Sequence, residues 1–387
     1  MIVIEKKEDC CGCGACTQIC PKSCITIEED SSGFSYPKVD TSNCIGCDLC
    51  VRACPFKKET PKVDPICASV ARTKDDDYLQ NSSSGGIFYE LSKTIIDHGG
   101  VVFGAAFDES WTVRHTSAKT LDSLKPLLRS KYVQSSIGST FLHIRDLLKQ
   151  EKEVLFSGTP CQVAGLKSFL NHEYENLYCV DFYCHGVPSP LVWKKFLDQK
   201  FRSKGRNIVD INFRSKKHGW FLFEFCIQYI ERKKHRWNEG RSEYNVYMKT
   251  LYGDYVRPSC FNCPFRDLHS CADVTLADAW NIVGSSHELN DDRGASLLLV
   301  NTPKGGKLCQ AINVESYNCS LDEVYQGQEA VRSGIQKPSK YDYFYKRVGE
   351  CSDITKLINK VTREKGIKSY IKYILNNYGI RRISKDF

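Results

Sequence analysis

The residues with the most specific chemistry are cysteines, which account for 21 of the 387 residues. Two runs share the spacing C-x2-C-x2-C-x3-C-P. Three closely spaced thiolates in a tight loop suit three irons of a 4Fe-4S cubane, and the fourth ligand comes from elsewhere. The spacing predicts two such clusters, whereas structural zinc, the alternative, prefers pairs of C-x2-C. The eight cysteines are Cys10, Cys13, Cys16, Cys20, Cys44, Cys47, Cys50 and Cys54.

Residues 1 to about 60 resemble bacterial-type two-cluster ferredoxins through this repeat. In such ferredoxins the fourth cysteine of each run binds the other cluster. The resemblance implies one cluster on Cys10, Cys13, Cys16 and Cys54, and a second on Cys44, Cys47, Cys50 and Cys20. Cys11 and Cys24 are predicted to be small buried residues. Ferredoxin modules carry electrons but do not catalyse alone, so the remaining chain should supply or consume those electrons.

After residues 57–77, which are polar, contain two prolines and are predicted to form a linker, the pattern changes. Apolar runs predict strands, and stretches of helical period predict helices between them. Together they indicate an α/β domain whose sheet is covered on both faces, with mixed strand direction possible. The predicted strands are 101–107, 154–156, 177–183, 208–213, 221–230 and 297–300, and the predicted helices include 87–96 and 141–148.

Three corners containing glycine follow this pattern. Residues 82–86, Ser-Ser-Ser-Gly-Gly, precede a predicted helix and suit an anion such as a dinucleotide pyrophosphate, although they also suit plain helix initiation. Residues 158–162 and 184–186 each bring a cysteine to the end of a predicted strand. With a later C-x2-C, these could bind a third 4Fe-4S cluster through Cys161, Cys184, Cys260 and Cys263. A zinc half-site, a nucleophilic Cys161 and plain core packing remain open alternatives.

The other cysteines of the body are given lesser roles. Cys271 and Cys67 are reserve ligands for the third cluster. The remaining five are predicted to serve packing alone: Cys179, Cys226, Cys309, Cys319 and Cys351.

Several motifs in order, over about residues 66 to 310, resemble the coenzyme F420 hydrogenase/dehydrogenase β-subunit family. The resemblance implies an FAD-containing domain with a nearby 4Fe-4S cluster, passing electrons between iron-sulfur carriers and a two-electron acceptor. In methanogens that acceptor is F420, whereas other relatives use other substrates. The arrangement with a fused N-terminal ferredoxin is similar to versions of the family found in many anaerobic bacteria. The motifs are Ser84-Gly85-Gly86, Ser130-Lys131-Tyr132, residues 158–162, 184–190, 213–216 with Gly219-Trp220, Arg257-Pro258-Ser259-Cys260-x2-Cys263, and Asp273 through Asp278 to Trp280.

With this resemblance, Lys131 is predicted to stabilise negative charge on the flavin ring or its phosphates, and His185 to donate a proton or to tune a cluster through a hydrogen bond. Where relatives have Gly-Asp-x-Trp-Gly, residues 277–281 read Ala-Asp-Ala-Trp-Asn. Asp278 would bind a cofactor ribose, orient Arg257 or cap the following turn. The predicted flavin contacts are Ser84, Gly85, Gly86, Lys131, Tyr132, Gly158, Thr159 and Asp278.

The predicted fold is an α+β ferredoxin-like N-terminal domain (1–62), an α/β mixed-sheet flavin-binding domain (66–320) and a basic helical C-terminal region (330–387). Residues 332–387 carry fourteen Lys and Arg against five Asp and Glu, with interleaved aromatic residues. This pattern predicts an amphipathic helical tail packed on the main domain, or alternatively a docking face for an acidic partner, a membrane or nucleic acid.

The sequence has no run of ~18 apolar residues and begins with charged residues, so a cytoplasmic, reducing setting without a transmembrane segment is expected. The predicted function is electron transfer between the clusters and an organic acceptor through FAD. The expected partners are a ferredoxin-type donor or a redox partner protein and a small-molecule acceptor, without nucleic acid. The alternatives are a non-catalytic electron-transfer subunit of a larger complex and a flavin-free iron-sulfur protein.

Overall fold

The structure is a computed structural model that describes residues 1–58, 64–266, 270–280, 282, 288–327 and 334–362. Its strands form a two-stranded, a three-stranded and an eight-stranded sheet. This mixed α/β architecture with one large mixed sheet confirms the coarse fold prediction. The strands are β1 Ile25–Glu29, β2 Ser35–Val39, β3 Cys67–Thr73, β4 Val101–Phe107, β5 Val113–Ala118, β6 Val154–Ser157, β7 Leu177–Phe182, β8 Asn207–Ser215, β9 Glu224–Glu231, β10 Lys234–Arg241, β11 Val274–Asp278, β12 Ser296–Val300 and β13 Val314–Cys319.

The helices lie mostly between the strands of the large sheet. They are α1 Ala15–Gln18, α2 Leu49–Arg52, α3 Asp76–Asn81, α4 Ile87–Asp97, α5 Leu121–Leu124, α6 Thr140–Lys149, α7 Pro160–Leu170, α8 Pro190–Lys200, α9 Met248–Tyr252, α10 Pro303–Gln310, α11 Leu321–Gly327, α12 Tyr341–Val348 and α13 Ile354–Thr362. None of the helices in the described part of the chain is long and apolar enough to cross a membrane.

The N-terminal cysteine runs lie on either side of the β1–β2 hairpin, whose strands pair antiparallel. Each run leads into a one-turn helix, α1 or α2. Gly14 before α1 has φ 72° and Asp48 before α2 has φ 56°, so both helices start after a left-handed residue. The two runs therefore share local backbone geometry as well as spacing.

The large sheet has the order β13-β3-β12-β11-β7-β6-β4-β5. Four adjacent strands, β4, β6, β7 and β11, pair in parallel, and the strands that flank them pair antiparallel. Along β6, Val154 and Phe156 pack in one apolar core with α6 and α7, whereas Leu155 packs in another core with α4. Because side chains alternate along a strand, this pattern covers both faces of the sheet, as predicted.

The predicted linker at residues 57–77 is wrong over part of its length. β3 lies within it and pairs with both β12 and β13, and Val70 and Ala71 are fully buried. Its sequence, Cys-Ala-Ser-Val-Ala-Arg-Thr, has small and polar residues that resemble a linker. Both neighbouring strands come from residues more than 200 positions later, so no local signal marks this internal strand.

The described part of the basic C-terminal region is helical and packs on the body. The Tyr341 hydroxyl donates to the Val256 carbonyl at 2.7 Å, and the Tyr345 hydroxyl donates to the Tyr255 carbonyl at 2.8 Å. Phe344 is fully buried. These aromatic side chains serve packing and are not available to a docking partner. The later aromatic residues, Tyr370, Tyr373, Tyr378 and Phe387, lie outside the described residues, as do 328–333.

Candidate redox site

The first predicted cysteine set gathers where α1 meets the body. Burial, followed by the neighbouring Cys10 and Cys54, raises the pKa of Cys16 to about 12. Cys13 lies against α7, where a Cβ built on Gly165 would stand 2.9 Å from its Sγ. The cysteines of this set are thus mutual neighbours or lie at the module's contact with the body.

The second predicted set lines a small pocket of about 20 Å³. Its lining includes all four cysteines of the set together with Cys24, and the Cys20 and Cys24 sulfurs are 3.4 Å apart. The backbone amide of Ile2 donates to Cys50 Sγ at 3.2 Å. The thiols that surround this pocket suit a cluster whose sulfurs accept backbone hydrogen bonds. Cys47 is exposed, so this pocket lies at the surface.

The third predicted set comes together from three separate loops. Burial, followed by Cys260, Cys161 and Cys263, raises the pKa of Cys184 well above its usual value. Burial raises the pKa of both Cys260 and Cys263 to about 12. Buried neighbouring thiols resist ionisation unless a bound metal stabilises the thiolates, so this donor set fits an iron-sulfur cluster.

The topology of the large sheet explains why the cysteines of the third set lie close together. The corner at residues 158–161 follows β6, Cys184 follows β7, and β6 and β7 are parallel neighbours. The carboxyl ends of parallel strands share one edge of a sheet, where open α/β folds bind their ligands. Pro188 forms a bridge with Val256, which brings the Cys260 loop to the same edge.

A cavity of about 1550 Å³ opens at this edge. It exceeds the ~300–1,000 Å³ of ordinary ligand pockets, which leaves room for more than one organic group. Among the residues that line it are Cys161, Cys184, His185, Cys260 and Cys263, together with Ser83, Ser84, Gly86, Lys131, Tyr132, Gly158, Thr159 and Asp278. The structure thus brings the predicted third cluster set and most of the predicted flavin contacts to one space.

The serine-glycine loop is held more tightly than its sequence indicates. The Ser84 hydroxyl donates to the Ala295 carbonyl at 2.9 Å, and Ser83 Oγ accepts from the Ser130 amide at 2.9 Å. A Cβ on Gly85 would stand 2.4 Å from the Ala71 carbonyl oxygen, so this glycine packs against the sheet and is not among the cavity-lining residues. The Ser84 hydroxyl is therefore engaged within the protein, and Gly86, at φ 78°, begins α4 beside the cavity.

Lys131 and Tyr132 both line the cavity. Lys131 Nζ donates to the Leu128 carbonyl at 2.7 Å, and burial lowers its pKa to about 7. The backbone carbonyl of Tyr132 accepts from the Tyr247 hydroxyl at 2.7 Å. Lys131 can therefore gain or lose a proton near neutral pH at the cavity wall.

His185, Gly158 and Thr159 lie where predicted, after β7 and β6. Burial lowers the pKa of His185, so its imidazole is neutral at pH 7. Thr159 begins α7 and forms a reciprocal capping arrangement with Gln162, and its hydroxyl lies 3.2 Å from Cys161 Sγ. Thr159 therefore fixes the start of the helix that carries a candidate ligand.

Asp278 does not orient Arg257, which was one of the roles predicted for it. Its carboxylate accepts from both terminal nitrogens of Arg214, at 2.6 and 3.0 Å, and from the Trp220 indole nitrogen at 3.3 Å. Arg214 also lies over the rings of Phe223 and Trp280, with centroid distances of 4.6 and 5.2 Å. The carboxylate thus serves a buried ion pair at the cavity wall. Asn281 lies outside the described residues.

Three cationic residues were missed as site residues, although the sequence placed each of them in a motif. Arg214 forms the pair just described. Lys216 Nζ donates to the Ser84 and Arg293 carbonyls, both at 2.8 Å, and so ties the serine loop to its surroundings. Arg257 reaches the N-terminal module, where its Nε donates to the Cys10 carbonyl at 2.7 Å. Each of these three residues lies near aromatic or apolar residues in the sequence, and this was the signal that it would be buried.

All 21 cysteines are free thiols, including those that the sequence analysis did not assign to a cluster. Cys67 is exposed at the start of β3, away from the cavity, and Cys271 does not line the cavity either. Cys11 and Cys24 are buried, as predicted. Among the described residues no three His, Cys, Asp or Glu side chains converge as a single metal ion would require.

Two family models match the chain. The model for the C terminus of the beta subunit of coenzyme F420 hydrogenase/dehydrogenase matches residues 151–322, and a 4Fe-4S dicluster domain model matches residues 9–58. No curated protein matches. Among solved structures, a chain of the F420-reducing NiFe hydrogenase complex from Methanosarcina barkeri is 14% identical, with a TM-score of 0.45, over 80% of this chain and 94% of that chain.

The cysteine sets and the dicluster match define the class: an iron-sulfur oxidoreductase of electron transport. Both matches support the resemblance that the sequence motifs predicted, which is to the coenzyme F420 hydrogenase/dehydrogenase β-subunit family with an N-terminal 4Fe-4S dicluster domain.

Proposed function

We propose that this chain transfers electrons between an external one-electron donor and an organic two-electron acceptor, using three 4Fe-4S clusters and FAD. The observation that carries the proposal is the shared cavity, whose walls hold four candidate cluster ligands, the serine-glycine loop and Lys131. When bound, a flavin beside a cluster supplies the conversion between one-electron and two-electron chemistry. The protein's part is to hold both groups close together and away from water.

The proposed ligands follow the three cysteine sets described above. Cys10, Cys13, Cys16 and Cys54 would hold the first cluster, and Cys20, Cys44, Cys47 and Cys50 the second. Cys161, Cys184, Cys260 and Cys263 would hold the third, beside the flavin. Support comes from the dicluster match at residues 9–58, from the pocket around the second set and from the mutual proximity of the buried thiols of the third set.

The proposed flavin contacts include groups suited to a dinucleotide. The start of α4 at Gly86 would face a phosphate, because the amides in the first turn of a helix lack intrahelical partners. Lys131, with its pKa near 7, would hold a proton against negative charge on the ring or phosphates. His185, neutral at pH 7, retains one ring proton that it can donate.

The donor would approach the second cluster set. Cys47 is exposed there, and the side chain of its neighbour Ile45 is 61% exposed. A ferredoxin-type protein or a redox partner subunit would bring its own centre close to this surface. The acceptor would enter the cavity from solvent.

The test is anaerobic purification followed by iron and acid-labile sulfide counts and chromatography of flavin released by acid. We expect about twelve irons and one FAD per chain, because three cubanes hold four irons each. About eight irons without flavin would overturn the proposal. Bound flavin without turnover of any small acceptor until a partner is added would instead identify a non-catalytic electron-transfer subunit.

A matched pair of variants separates the third cluster from general damage. Cys184→Ser should lose about four irons while the dicluster signals remain. Cys226→Ser replaces a cysteine buried in β9, away from all three sets, and should keep its iron. Equal iron loss in both variants would contradict the assignment.

A further inference from the structure

Arg257 connects the N-terminal module to the body. Its side chain is only 1% exposed, and its guanidinium donates three hydrogen bonds. Nε donates to the Cys10 carbonyl at 2.7 Å, Nη2 to the Ser35 carbonyl at 2.8 Å, and Nη1 to Gln134 Oε1 at 3.1 Å. Two of these three acceptors belong to the module, so the residue fixes the module's position on the body.

The same guanidinium lies beside a candidate cluster ligand. Nη2 is 3.7 Å from Cys10 Sγ, and the group stacks over the Tyr36 ring at 4.4 Å. The salt bridges among the described residues do not include Arg257. The groups that interact electrostatically with the guanidinium are Cys10, Tyr36, Cys11 and Cys260. The positive charge is therefore directed at sulfur rather than at a carboxylate.

The backbone of Arg257 belongs to the loop of the third set. Its amide donates to the Val187 carbonyl at 3.0 Å, three residues after Cys184, and its own carbonyl accepts from the Cys260 amide at 2.9 Å. One residue thus touches the first set through its side chain and the third set through its backbone.

A second contact joins the same loop of the N-terminal module to the third set. The thiols of Cys11 and Cys161 are hydrogen-bonded to each other. Gln134 Nε2 donates to the Cys11 carbonyl at 3.0 Å while its Oε1 accepts from Arg257. The loop at residues 10–12 is therefore held against the third set from both sides.

We propose that Arg257 is a positioning residue that docks the Cys10 loop onto the third cluster and raises the reduction potential of the cluster bound by Cys10. A buried cation stabilises the more negative, reduced state of a nearby cluster, and hydrogen bonds to ligand sulfur act in the same direction. The first cluster would then be the inner relay and the second the outer one. This inference rests on the proposed cluster assignment.

The test is a redox titration of the purified, cluster-loaded protein, monitored by electron paramagnetic resonance. Arg257→Met, which removes the charge, should lower the midpoint potential of the first cluster most and that of the third cluster less, and should leave the second unchanged. Arg257→Lys, which keeps the charge but lacks the planar fork, should stay close to the wild-type potential. Equal potentials in the wild type and Arg257→Met, or equal shifts in both variants, would overturn the proposal.

Two further variants keep the test decisive. Arg72→Met removes another buried arginine, which pairs with Asp291 and Glu315 and does not line the cavity, and should leave every potential unchanged. If Arg257→Met does not fold, Gly12→Ala displaces the guanidinium, because its Cβ would stand 2.9 Å from Arg257 Nη1. It should give a smaller shift in the same direction, and no shift would overturn the proposal. Wild-type protein that lacks clusters altogether would instead overturn the proposed function.

Discussion

The two cysteine runs, residues 10–16 and 44–50, have the same spacing but different surroundings. In the first, Cys13 and Cys16 are 7% and 8% exposed, and in the second Cys47 is exposed. A Cβ on Gly12 would collide with Arg257, whereas a Cβ on Gly46 would meet nothing within 4 Å. The repeated motif sets the local geometry, but the body determines which copy is inner and which is outer.

The largest effect should come from removing one ligand in each run. We expect Cys16→Ser and Cys47→Ser each to lose about four irons of about twelve. Only Cys16→Ser should also lower the thermal midpoint markedly, because Cys16 is buried in the core of the N-terminal module, whereas Cys47 is exposed, and metal binding contributes to folding. Iron analysis and anaerobic calorimetry measure the two quantities. Equal losses of thermal stability would remove the distinction between inner and outer copies.

The glycines at equivalent positions of the two runs, Gly12 and Gly46, provide a more specific comparison. Gly12 and Gly46 have φ angles of 72° and 68°, so an alanine costs a similar ~1–2 kcal/mol in backbone strain at either position. Gly12→Ala should cost about 1–3 kcal/mol more, because its Cβ overpacks against Arg257. Urea denaturation of the two proteins under the same anaerobic conditions gives the difference. A larger loss in Gly46→Ala would contradict the contact.

Cys11 and Ile45 occupy the same place in the two runs. Cys11 is 6% exposed within an apolar core, whereas Ile45 is 61% exposed. Cys11→Ser should destabilise the protein by about 1–3 kcal/mol, because it buries a hydroxyl, and Ile45→Ser should stay within about 0.5 kcal/mol of wild type. The same denaturation measurement applies. An unchanged free energy of unfolding in Cys11→Ser would show that water reaches this position.

The smallest expected effect concerns the outer surface. Ile45→Glu should slow reduction by a ferredoxin-type protein about threefold to tenfold, because it places a charge in an exposed apolar contact. Reduction by dithionite, which needs no docking surface, is the control and should keep its wild-type rate. Iron content should also be unchanged. Slowing with both reductants would indicate cluster damage instead of lost docking.

Much of the central sheet was predictable because its strands are continuous apolar runs, and β4, β6 and β7 lie where the sequence indicated. The polar β10, exposed over nearly its whole length, and the small-residue β3 gave no such signal. β3 pairs with strands that are distant in sequence, and β10 pairs within an exposed hairpin. Apolar periodicity therefore identified the core of the large sheet but neither its strand β3 nor β10, the edge strand of the three-stranded sheet.

The cysteine sets were predictable from spacing, since three ligands of each N-terminal cluster lie within one tight loop. The pairing of Asp278 with Arg214 was not, because Arg214 comes from the separate three-stranded sheet. The contact of Arg257 with Cys10 joins residues 247 positions apart. Such contacts depend on how the elements pack, which no local spacing encodes.

The position of β3 also bears on biosynthesis. Its neighbours in the sheet, β12 and β13, are made only when the ribosome has reached residues 296–319. The dicluster module has all eight of its proposed ligand cysteines by Cys54, and Arg257 is made about 200 residues later. At ~5–20 residues per second this leaves on the order of 10 s or more in which the young module is accessible to cluster-delivery factors before the body closes around its inner loop.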